Sequence, residues 1–545
     1  MDPFDQIPSS GPGDRFERAL AGLTPAQLGA VMSPAEALCI VAGAGSGKTR
    51  VLTLRVARRI RDRSAEADHT VVCTFTRKAA HELSDRLSRY DVPVSATPGR
   101  DGVPTAGVRT GTLHQLALTL LRRRAADSGR PPPALVEHRW RTLAELTGDR
   151  ATASVVETEI GWAKARCIGP DGYAVAAAAS GRAVASPLDQ VAGTFADYQG
   201  RLGRRGLLDL DDVLLHAADL LLDDSAFAEQ SHWRYRHLAV DEFQDVNPAQ
   251  FRLVRALMGE RADLCAVGDP NQAIYGWNGA EPGLLASLPD VVAGLEVVHL
   301  DRNHRCTPQV VAAAAAALGP ADVTPPRSAV DDGPVPTLTV YDDDRAEAEA
   351  VAAAILRRAE AGTPWSGQAV LARTHEQLAV VRRMLDGVGV PFRFAPAPDD
   401  EGGPEVSTGR RPRPSPSTTT RGEPGGGVEL ATFHRAKGLE WEVVYVVGLE
   451  SGFVPIVHAT TPEALAEERR LLYVALSRAG RVLECSWARS RTMGGGRAVG
   501  GGRAMERRPS PWIGDLVGAC APGEARTTPP DATRRFADLR ANLRG

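Results

Sequence analysis

LCIVAGAGSGKT, residues 38–49, is the stretch that decides the fold of this chain. Its apolar first half, residues 38–43, predicts a buried strand, and the helical spacing of apolar residues over Lys48–Arg59 predicts a helix. The glycine-rich turn between them presents backbone N–H groups of the kind that cradle phosphates. Strand, loop and helix in this order predict a nucleotide-binding site, although Ala42 stands where the strict pattern begins with Gly.

Further short apolar strands alternate with helices on both sides of this loop. Such alternation favours parallel, doubly wound sheets, so the predicted fold class is α/β. The predicted strands are 70–75, 237–241 and 264–268 in a first block, and 296–300, 368–372, 428–432 and 443–447 in a second.

Composition suggests where the domains begin and end. The stretch 113–208 is rich in Ala, Leu and Arg with helical periodicity, and 396–427 is dominated by Pro, Gly, Ser and Thr. The predicted organisation is a first domain over 1–112 and 209–295, a helical insertion over 113–208, a second domain over 296–490 with a disordered linker at 396–427, and a flexible C-terminal segment over 491–545.

Overall composition excludes several classes of protein. The 545 residues carry a net charge of −3, so a nucleic-acid site must be a local groove rather than a basic molecule. No run of apolar residues is long enough to span a membrane, and the N-terminus lacks the apolar region of a signal peptide. The seven cysteines form no CxxC pair, which argues against structural zinc and a disulfide framework. We therefore expect a reduced, cytoplasmic protein.

Lysine is rare in this chain. Only four of the 64 basic residues are Lys, namely Lys48, Lys78, Lys164 and Lys437. A chain that uses Arg wherever Arg suffices keeps Lys where a compact ammonium is needed. The alternative is chance survival, against which the positions of these lysines argue.

Acidic residues follow the predicted strand 237–241 in LAVDEFQD, Leu238–Asp245. We assign Asp241 to Mg²⁺ together with Thr49, Glu242 to the general base, and Gln244 to the water or the γ-phosphate. An isolated Asp-Glu pair is usually a solvated strand end. Beside a phosphate-binding loop in the same sheet, the catalytic interpretation is favoured.

Several further segments occur in a characteristic order. They are LTPAQLGAV (Leu23–Val31), TFTRKAAHELSDRL (Thr74–Leu87), GTLHQLALTLLRR (Gly111–Arg123), VGDPNQAIYGWNGA (Val267–Ala280), RNHRC (Arg302–Cys306), LATFHRAKGLEWEVVYVVGL (Leu430–Leu449) and EERRLLYVALSRA (Glu467–Ala479). Together with the two sites above, they resemble the Q motif and motifs I to VI of the UvrD/Rep/PcrA group of superfamily 1 DNA helicases. The resemblance implies two RecA-like P-loop domains.

The resemblance also implies ATP and Mg²⁺ as cofactors and a set of site residues. Catalytic roles fall on Lys48, Asp241, Glu242, Gln272, Arg305 and Arg478, the two arginines being the cations expected at the γ-phosphate. Nucleotide-binding roles fall on Gln27, Ala44, Gly45, Ser46, Gly47, Lys48, Thr49, Arg50, Gln244, His304 and Glu440.

A DNA path needs stacking platforms and donors to phosphate. Phe75, Tyr275 and Trp277 are the candidate stacking residues, with core packing the alternative for Phe75. Candidate phosphate contacts are Thr76, Thr112, His114, Thr432 and His434. Such contacts carry little sequence information, so base-specific recognition is not expected.

Three departures from the family pattern stand out. His304 replaces the usual Tyr of motif IV, and Asn278 replaces the usual Arg of motif III. Arg305 and Thr432 are only 127 positions apart (432 − 305), where larger relatives insert a helical domain. We infer that the second insertion is absent or vestigial.

Three functions compete. The first is an ATP-dependent 3′–5′ helicase that acts on single-stranded and tailed duplex DNA in repair or replication restart, monomeric when free and with a possible repair-protein partner. The second is a single-strand translocase or protein-displacing motor within a larger repair or anti-phage complex. The third, a binding module without turnover, is disfavoured because the catalytic residues are intact.

Overall fold

The computed structural model describes residues 12–95, 106–261, 263–319, 325–395, 426–492 and 504–523. The chain divides into two units, with the main boundary after Leu300. Among the described residues, the first unit comprises 12–42 and 47–300, and the second comprises 43–46 and the residues from 301 onward. Among the described residues, no helix is long and apolar enough to cross a membrane.

The first unit is built on a six-stranded sheet in the order β3-β2-β6-β7-β1-β8, with every neighbouring pair parallel. A separate two-stranded pair, β4 and β5, lies at the base of the insertion. The strands of this unit are β1 (Leu38–Ala42), β2 (Thr70–Thr74), β3 (Arg109–Thr112), β4 (Ala134–Leu135), β5 (Leu207–Leu208), β6 (His237–Val240), β7 (Leu264–Gly268) and β8 (Glu296–Leu300).

Helices cover both faces of this sheet, and four further helices pack among themselves in the insertion. They are α1 (Pro12–Ala21), α2 (Pro25–Met32), α3 (Lys48–Arg61), α4 (Arg77–Arg89), α5 (Leu113–Asp127), α6 (Arg139–Thr147), α7 (Arg150–Ala165), α8 (Pro170–Ala179), α9 (Leu188–Arg205), α10 (Leu210–Asp223), α11 (Ser225–Arg234), α12 (Pro248–Met258) and α13 (Gly283–Val291). Alternate residues of a strand point to opposite faces, so Leu38 and Ile40 enter one core and Cys39 the other. The predicted α/β class is therefore confirmed.

The insertion begins later than its composition suggested. Residues of α5 such as Leu116 and Leu120 pack into the core beneath the main sheet. A separate core forms only among α6 to α9, where Ile160, Phe195 and Tyr198 are fully buried. The expected start at residue 113 therefore differs from the structure, because the apolar face of α5 is used by the first unit's core.

The second unit contains a larger sheet in the order β13-β14-β12-β15-β16-β11-β18, with β17 antiparallel to β16. The strands of this unit are β9 (Arg302–Asn303), β10 (Arg327–Ser328), β11 (Thr337–Asp343), β12 (Gln368–Ala372), β13 (Phe392–Phe394), β14 (Val428–Thr432), β15 (Trp441–Val446), β16 (Ala479–Thr492), β17 (Ala504–Glu506) and β18 (Ala521–Pro522). Of these, β9 and β10 form a separate parallel pair. Its helices are α14 (Pro308–Ala317), α15 (Asp344–Glu360), α16 (His375–Val388), α17 (Pro462–Leu476) and α18 (Ile513–Val517).

Two predicted boundaries of the second domain also differ from those in the structure. The strand 296–300 was expected to open this domain, but β8 pairs with β1 in the first sheet. The C-terminal segment from 491 was expected to be flexible, but within it β17 and α18 are formed and Leu516 is buried. Most of the predicted linker at 396–427 lies outside the described residues, as do 493–503 and 524–545.

Candidate nucleotide and DNA site

The phosphate-binding loop joins the end of β1 to the start of α3. Gly45 and Gly47 adopt φ values of 69° and 79°, a left-handed conformation that a residue with a Cβ seldom adopts. Gly47 occupies the position before α3, so backbone N–H groups at the start of this helix are directed toward the loop. Ser46 is buried and donates its hydroxyl to the carbonyl of Gly43 at 2.8 Å. Within the second unit, the backbone N–H of His304 donates to the carbonyl of Gly45 at 2.8 Å. The local geometry is that of an anion-binding turn.

Lys48 is connected to the end of β7 through Asp269. The ammonium nitrogen lies 3.9 Å from Asp269 Oδ2, and Gln272 Nε2 donates to the same oxygen at 2.6 Å. Both Asp269 and Gln272 are buried. The sequence analysis did not single out Asp269, although its place directly after an apolar strand, like that of Asp241, was a usable signal.

A second carboxylate lies at the end of β6. Asp241 Oδ2 accepts a hydrogen bond from the hydroxyl of Thr49 at 2.9 Å. Burial, and then the charge of Glu242, raises the pKa of Asp241 to about 6. A carboxylate and a hydroxyl are the oxygen donors that suit Mg²⁺, whose charge would favour the ionised carboxylate. The structure thus brings together the two residues that were predicted to hold the metal.

Glu242 has a backbone φ of 53°, which is uncommon for a residue other than Gly. Gln244 Nε2 donates to its Oε2 at 2.6 Å, while Gln244 Oε1 accepts from the backbone N–H of Asp269 at 2.9 Å. Gln244 therefore joins the ends of β6 and β7. Strained backbone of this kind is concentrated at functional sites, which agrees with the predicted role of Glu242.

Gln27 lies beside the start of α3. Its Oε1 accepts from the backbone N–H of Thr24 at 3.0 Å in a reciprocal helix cap, and a Cβ added to Gly47 would lie 3.0 Å from its Nε2. Arg50 donates to the carbonyl of Ala19 at 3.0 Å. These contacts place Gln27 and Arg50 near the loop, whereas their roles toward a nucleotide stay predictions.

A buried arginine of α3, which the sequence analysis missed, organises the same region. Arg55 is 1% exposed and donates from Nη1 to the carbonyls of Ala30 at 3.0 Å and Ser33 at 2.8 Å. Its Nη2 donates to the carbonyl of Ala35. Arg55 therefore ties α3 to the segment that follows α2. Nothing in its local sequence distinguishes it from the exposed arginines of α3.

The two predicted γ-phosphate arginines lie in the second unit. Arg305 pairs with Glu440 at 2.5 Å, and its Nη1 is enclosed without a hydrogen-bond partner among the described residues. Arg478 is 2% exposed and donates to the carbonyls of Val474 at 3.1 Å and Leu439 at 3.2 Å. Burial, and then the charge of Arg305, lowers the pKa of Arg478 to about 10, so it stays charged at neutral pH.

The three predicted stacking residues form one aromatic group, which we call the aromatic platform: Phe75, Tyr275 and Trp277. The rings of Phe75 and Tyr275 stack with centroids 5.1 Å apart and planes 14° apart. The ring centroids of Tyr275 and Trp277 lie 6.4 Å apart, with the planes 64° apart in an edge-to-face arrangement. Trp277 is 53% exposed, which is unusual for so large an apolar side chain. A base could therefore reach its ring.

Two of the three predicted phosphate-binding threonines cap helices, and the third, Thr432, caps the turn that follows β14. Thr76 accepts from the backbone N–H of Ala79 at 3.1 Å, Thr112 from Gln115 at 3.2 Å, and Thr432 from Arg435 at 3.4 Å. Thr112 and Thr432 are buried. Each hydroxyl proton remains available as a donor, so phosphate contact stays a prediction for all three.

The two predicted phosphate-binding histidines are both neutral at pH 7. Burial lowers the pKa of His114. Burial, and then the charges of Arg373 and Lys437, lowers the pKa of His434 to about 4. Either side chain would offer an N–H donor to a phosphate rather than a positive charge.

Comparison with known proteins agrees with this geometry. The model of the UvrD/REP helicase N-terminal domain matches residues 23–292, and that of the UvrD-like helicase C-terminal domain matches residues 417–490. The ATP-dependent DNA helicase UvrD2 of Mycobacterium tuberculosis (strain ATCC 25618 / H37Rv) is 34% identical over 619 aligned residues, which cover 96% of this chain and 85% of that protein. This chain belongs to the UvrD/Rep helicase family. It is therefore an enzyme of the ATP-dependent DNA helicase class.

Other members of this helicase family are also similar. UvrD2 of Mycobacterium bovis shows the same identity and coverage. The ATP-dependent DNA helicase Rep of Escherichia coli (strain K12) is 31% identical over 296 residues, which cover 54% of this chain and 42% of Rep. The UvrD2 alignment is longer than this 545-residue chain, so at least 74 of its positions (619 − 545) hold residues only in UvrD2.

Proposed function

We propose that this helicase uses ATP and Mg²⁺ to move 3′ to 5′ along single-stranded DNA and to unwind tailed duplexes, as a monomer, in repair or replication restart. One observation carries the proposal. The short segment from Asp269 to Trp277 contains both the residues near Lys48 and two members of the aromatic platform. A conformational change at the ATP phosphates would therefore be transmitted through only a few residues to the side chains that stack on DNA bases.

The chemistry needed at the nucleotide side is present in the first unit. Lys48 and the loop N–H groups would bind phosphate oxygens, and Thr49 with Asp241 would hold Mg²⁺, which offsets the charge that develops in phosphoryl transfer. Glu242 would accept the proton of the attacking water, while Gln244 orients its carboxylate. The roles of Arg305 and Arg478 at the γ-phosphate remain part of the proposal.

The platform accounts for motion without base selectivity. Stacking on Trp277 and Tyr275 uses the face of a base, which every base has, so one strand can pass with little dependence on sequence. Contacts from the capping hydroxyls and the neutral histidines to DNA phosphates would fix the position of the strand without reading its sequence. Single-stranded DNA should therefore stimulate hydrolysis.

The deciding experiment compares strand displacement on 3′-tailed and 5′-tailed duplexes with single-strand-stimulated ATPase. Glu242→Gln is expected to lower the ATPase about 10² to 10⁴-fold and to retain ATP binding, because it removes the base and keeps the shape. Lys48→Ala should lose phosphate binding as well. Glu82→Gln, an exposed change on α4, is the matched control and should behave as wild type.

Displacement of only the 3′-tailed substrate supports the proposed polarity, and preference for the 5′ tail would contradict it. Near wild-type ATPase in Glu242→Gln would show that another group is the base. ATPase indifferent to single strands would contradict the coupling.

A second function is favoured by one specific observation. At many positions of the alignment with UvrD2, only UvrD2 has a residue. Segments that UvrD2 has and this chain lacks agree with a compact motor that moves on one strand or displaces bound proteins with the help of a repair or anti-phage partner. This alternative predicts strong single-strand-stimulated ATPase with little displacement of either duplex until a partner is added.

A further inference from the structure

Lys164 is the one lysine that the nucleotide and DNA motifs do not use. It lies in the last turn of α7 and is 1% exposed. Its ammonium nitrogen lies 2.7 Å from Asp209 Oδ2 and 2.7 Å from Asp212 Oδ1, with Gln199 Oε1 at 3.1 Å. Such a charge is tolerated inside a protein only because it is paired on several sides.

The two carboxylates belong to the N-terminus of α10. Asp209 caps this helix by accepting from the backbone N–H of Asp212 at 2.9 Å, and Asp212 accepts from the backbone N–H of Asp209 at 3.2 Å. A second cation of the insertion, Arg139, lies 3.1 Å from Asp209 Oδ2. Burial alone would raise the pKa of Asp209, but Arg139 and Lys164 hold it well below its usual value.

This buried ion cluster therefore joins the insertion to the core of the first unit. Lys164 and Arg139 come from the insertion helices α7 and α6, whereas α10 packs against α5 and α12 beneath the main sheet. Breaking the cluster would free the end of α7 from α10 without touching the phosphate-binding loop.

The residues next to Lys164 touch the turn that carries Trp277. A Cβ added to Gly279 would lie 2.5 Å from Ala165 Cβ, so the turn and α7 are in van der Waals contact. Gly279 has a φ of 90°, which only Gly adopts readily. Arg166 and Glu281 form an ion pair at 3.1 Å across the same junction. The end of α7 thus supports the turn from one side.

We propose that Lys164 is a positioning residue for DNA binding: by anchoring the end of α7 to α10, it sets the turn that holds Trp277 in the aromatic platform. The inference rests on the proposed function, in which Trp277 stacks on DNA bases. The choice of Lys agrees with this arrangement, because a compact ammonium reaches both carboxylates at 2.7 Å from a single nitrogen.

The test is a double-mutant cycle between Lys164→Met and Trp277→Ala, read out as the Kd for a fluorescent oligodeoxythymidylate by anisotropy. Lys164→Met alone should raise the Kd about tenfold. In the Trp277→Ala background it should add less than about twofold, since residues coupled through a shared backbone shift are non-additive. The KM for ATP without DNA should stay within about twofold, because the loop is untouched.

Arg201→Met is the matched control. It removes one positive charge from the same insertion, where Arg201 pairs with the exposed Glu145. Its Kd should stay within about twofold of wild type, as expected for a surface ion pair. A change equal to that of Lys164→Met would mean that only net charge matters, and the inference would fall.

A second variant covers the case in which Lys164→Met does not fold. Ala165→Val enlarges the side chain that meets Gly279 and should weaken DNA binding only when Trp277 is present. If either variant weakens binding equally in both backgrounds, or not at all, Lys164 does not act through the turn. If Trp277→Ala alone leaves the Kd unchanged, the stacking role in the proposed function fails first and the inference falls with it.

Discussion

Trp277→Ala is the change that tests the proposed DNA path most directly. The indole is 53% exposed, so about half of its surface is already in water and its removal should affect folding little. Stacking of a base on an aromatic side chain contributes roughly 1–3 kcal/mol. This corresponds to a Kd for single-stranded DNA that rises about 5- to 150-fold.

The structure narrows the expected range of the increase in Kd. Phe75 and Tyr275 remain stacked on each other at 5.1 Å after the substitution, so part of the platform survives. We therefore expect a rise of about tenfold, toward the lower end of the stacking energies. Half-maximal stimulation of the ATPase should need about ten times more DNA, since both assays report the same contact.

Anisotropy titration with a labelled oligodeoxythymidylate is the primary assay, with the unfolding midpoint measured in parallel. Trp233→Ala is the matched control because Trp233, on α11, is also exposed, at 57%, but packs under Arg236. Equal losses of affinity in both variants, or none in Trp277→Ala, would refute the stacking role of Trp277.

Three further predictions address other parts of the chain. Arg55→Leu should lower the free energy of unfolding by about 3 kcal/mol in urea denaturation, because two buried carbonyls and one partly buried carbonyl lose a charged donor. Substitution of the exposed Arg61 on the same helix, Arg61→Leu, should cost under about 1 kcal/mol, and similar losses would contradict a special role for Arg55. The pKa of His434 is depressed to about 4 in the folded protein, below its unfolded value near 6.5. The contribution of His434 to stability is therefore complete above pH 6.5 and is lost as pH falls through 4. His434→Gln should flatten that part of the stability–pH curve, and an unchanged curve would show that this pKa is not depressed. Deletion of residues 400–424 with a short flexible replacement should leave single-strand-stimulated ATPase largely intact. A large loss of ATPase would place that segment within the second domain. Weaker binding to tailed duplex alone would instead assign the segment to duplex contact.

Local sequence was sufficient for the elements and for much of the site. The loop between β1 and α3 is specified by its glycines, because only Gly adopts the φ values of Gly45 and Gly47 without strain. Asp241 and Glu242 could be assigned because the ends of parallel strands in one sheet meet at one edge. The three aromatic residues were predicted one by one as stacking residues, and the structure brings their rings together. Their stacking on DNA bases stays a prediction.

Tertiary structure decided the features that depend on partners distant in the chain. The sequence of strand 296–300 is compatible with either sheet, and only its pairing with β1 places it in the first unit. The helical pattern of α5 does not show which core its apolar face enters. Arg55 looks like an ordinary cation in the sequence, and the rarity of lysine marks Lys164 without showing its partners. Both side chains bind acceptors 20 to 48 positions away. Sequence periodicity reports the local backbone and the burial of a face, whereas the identity of the buried partner is fixed only when the chain has folded.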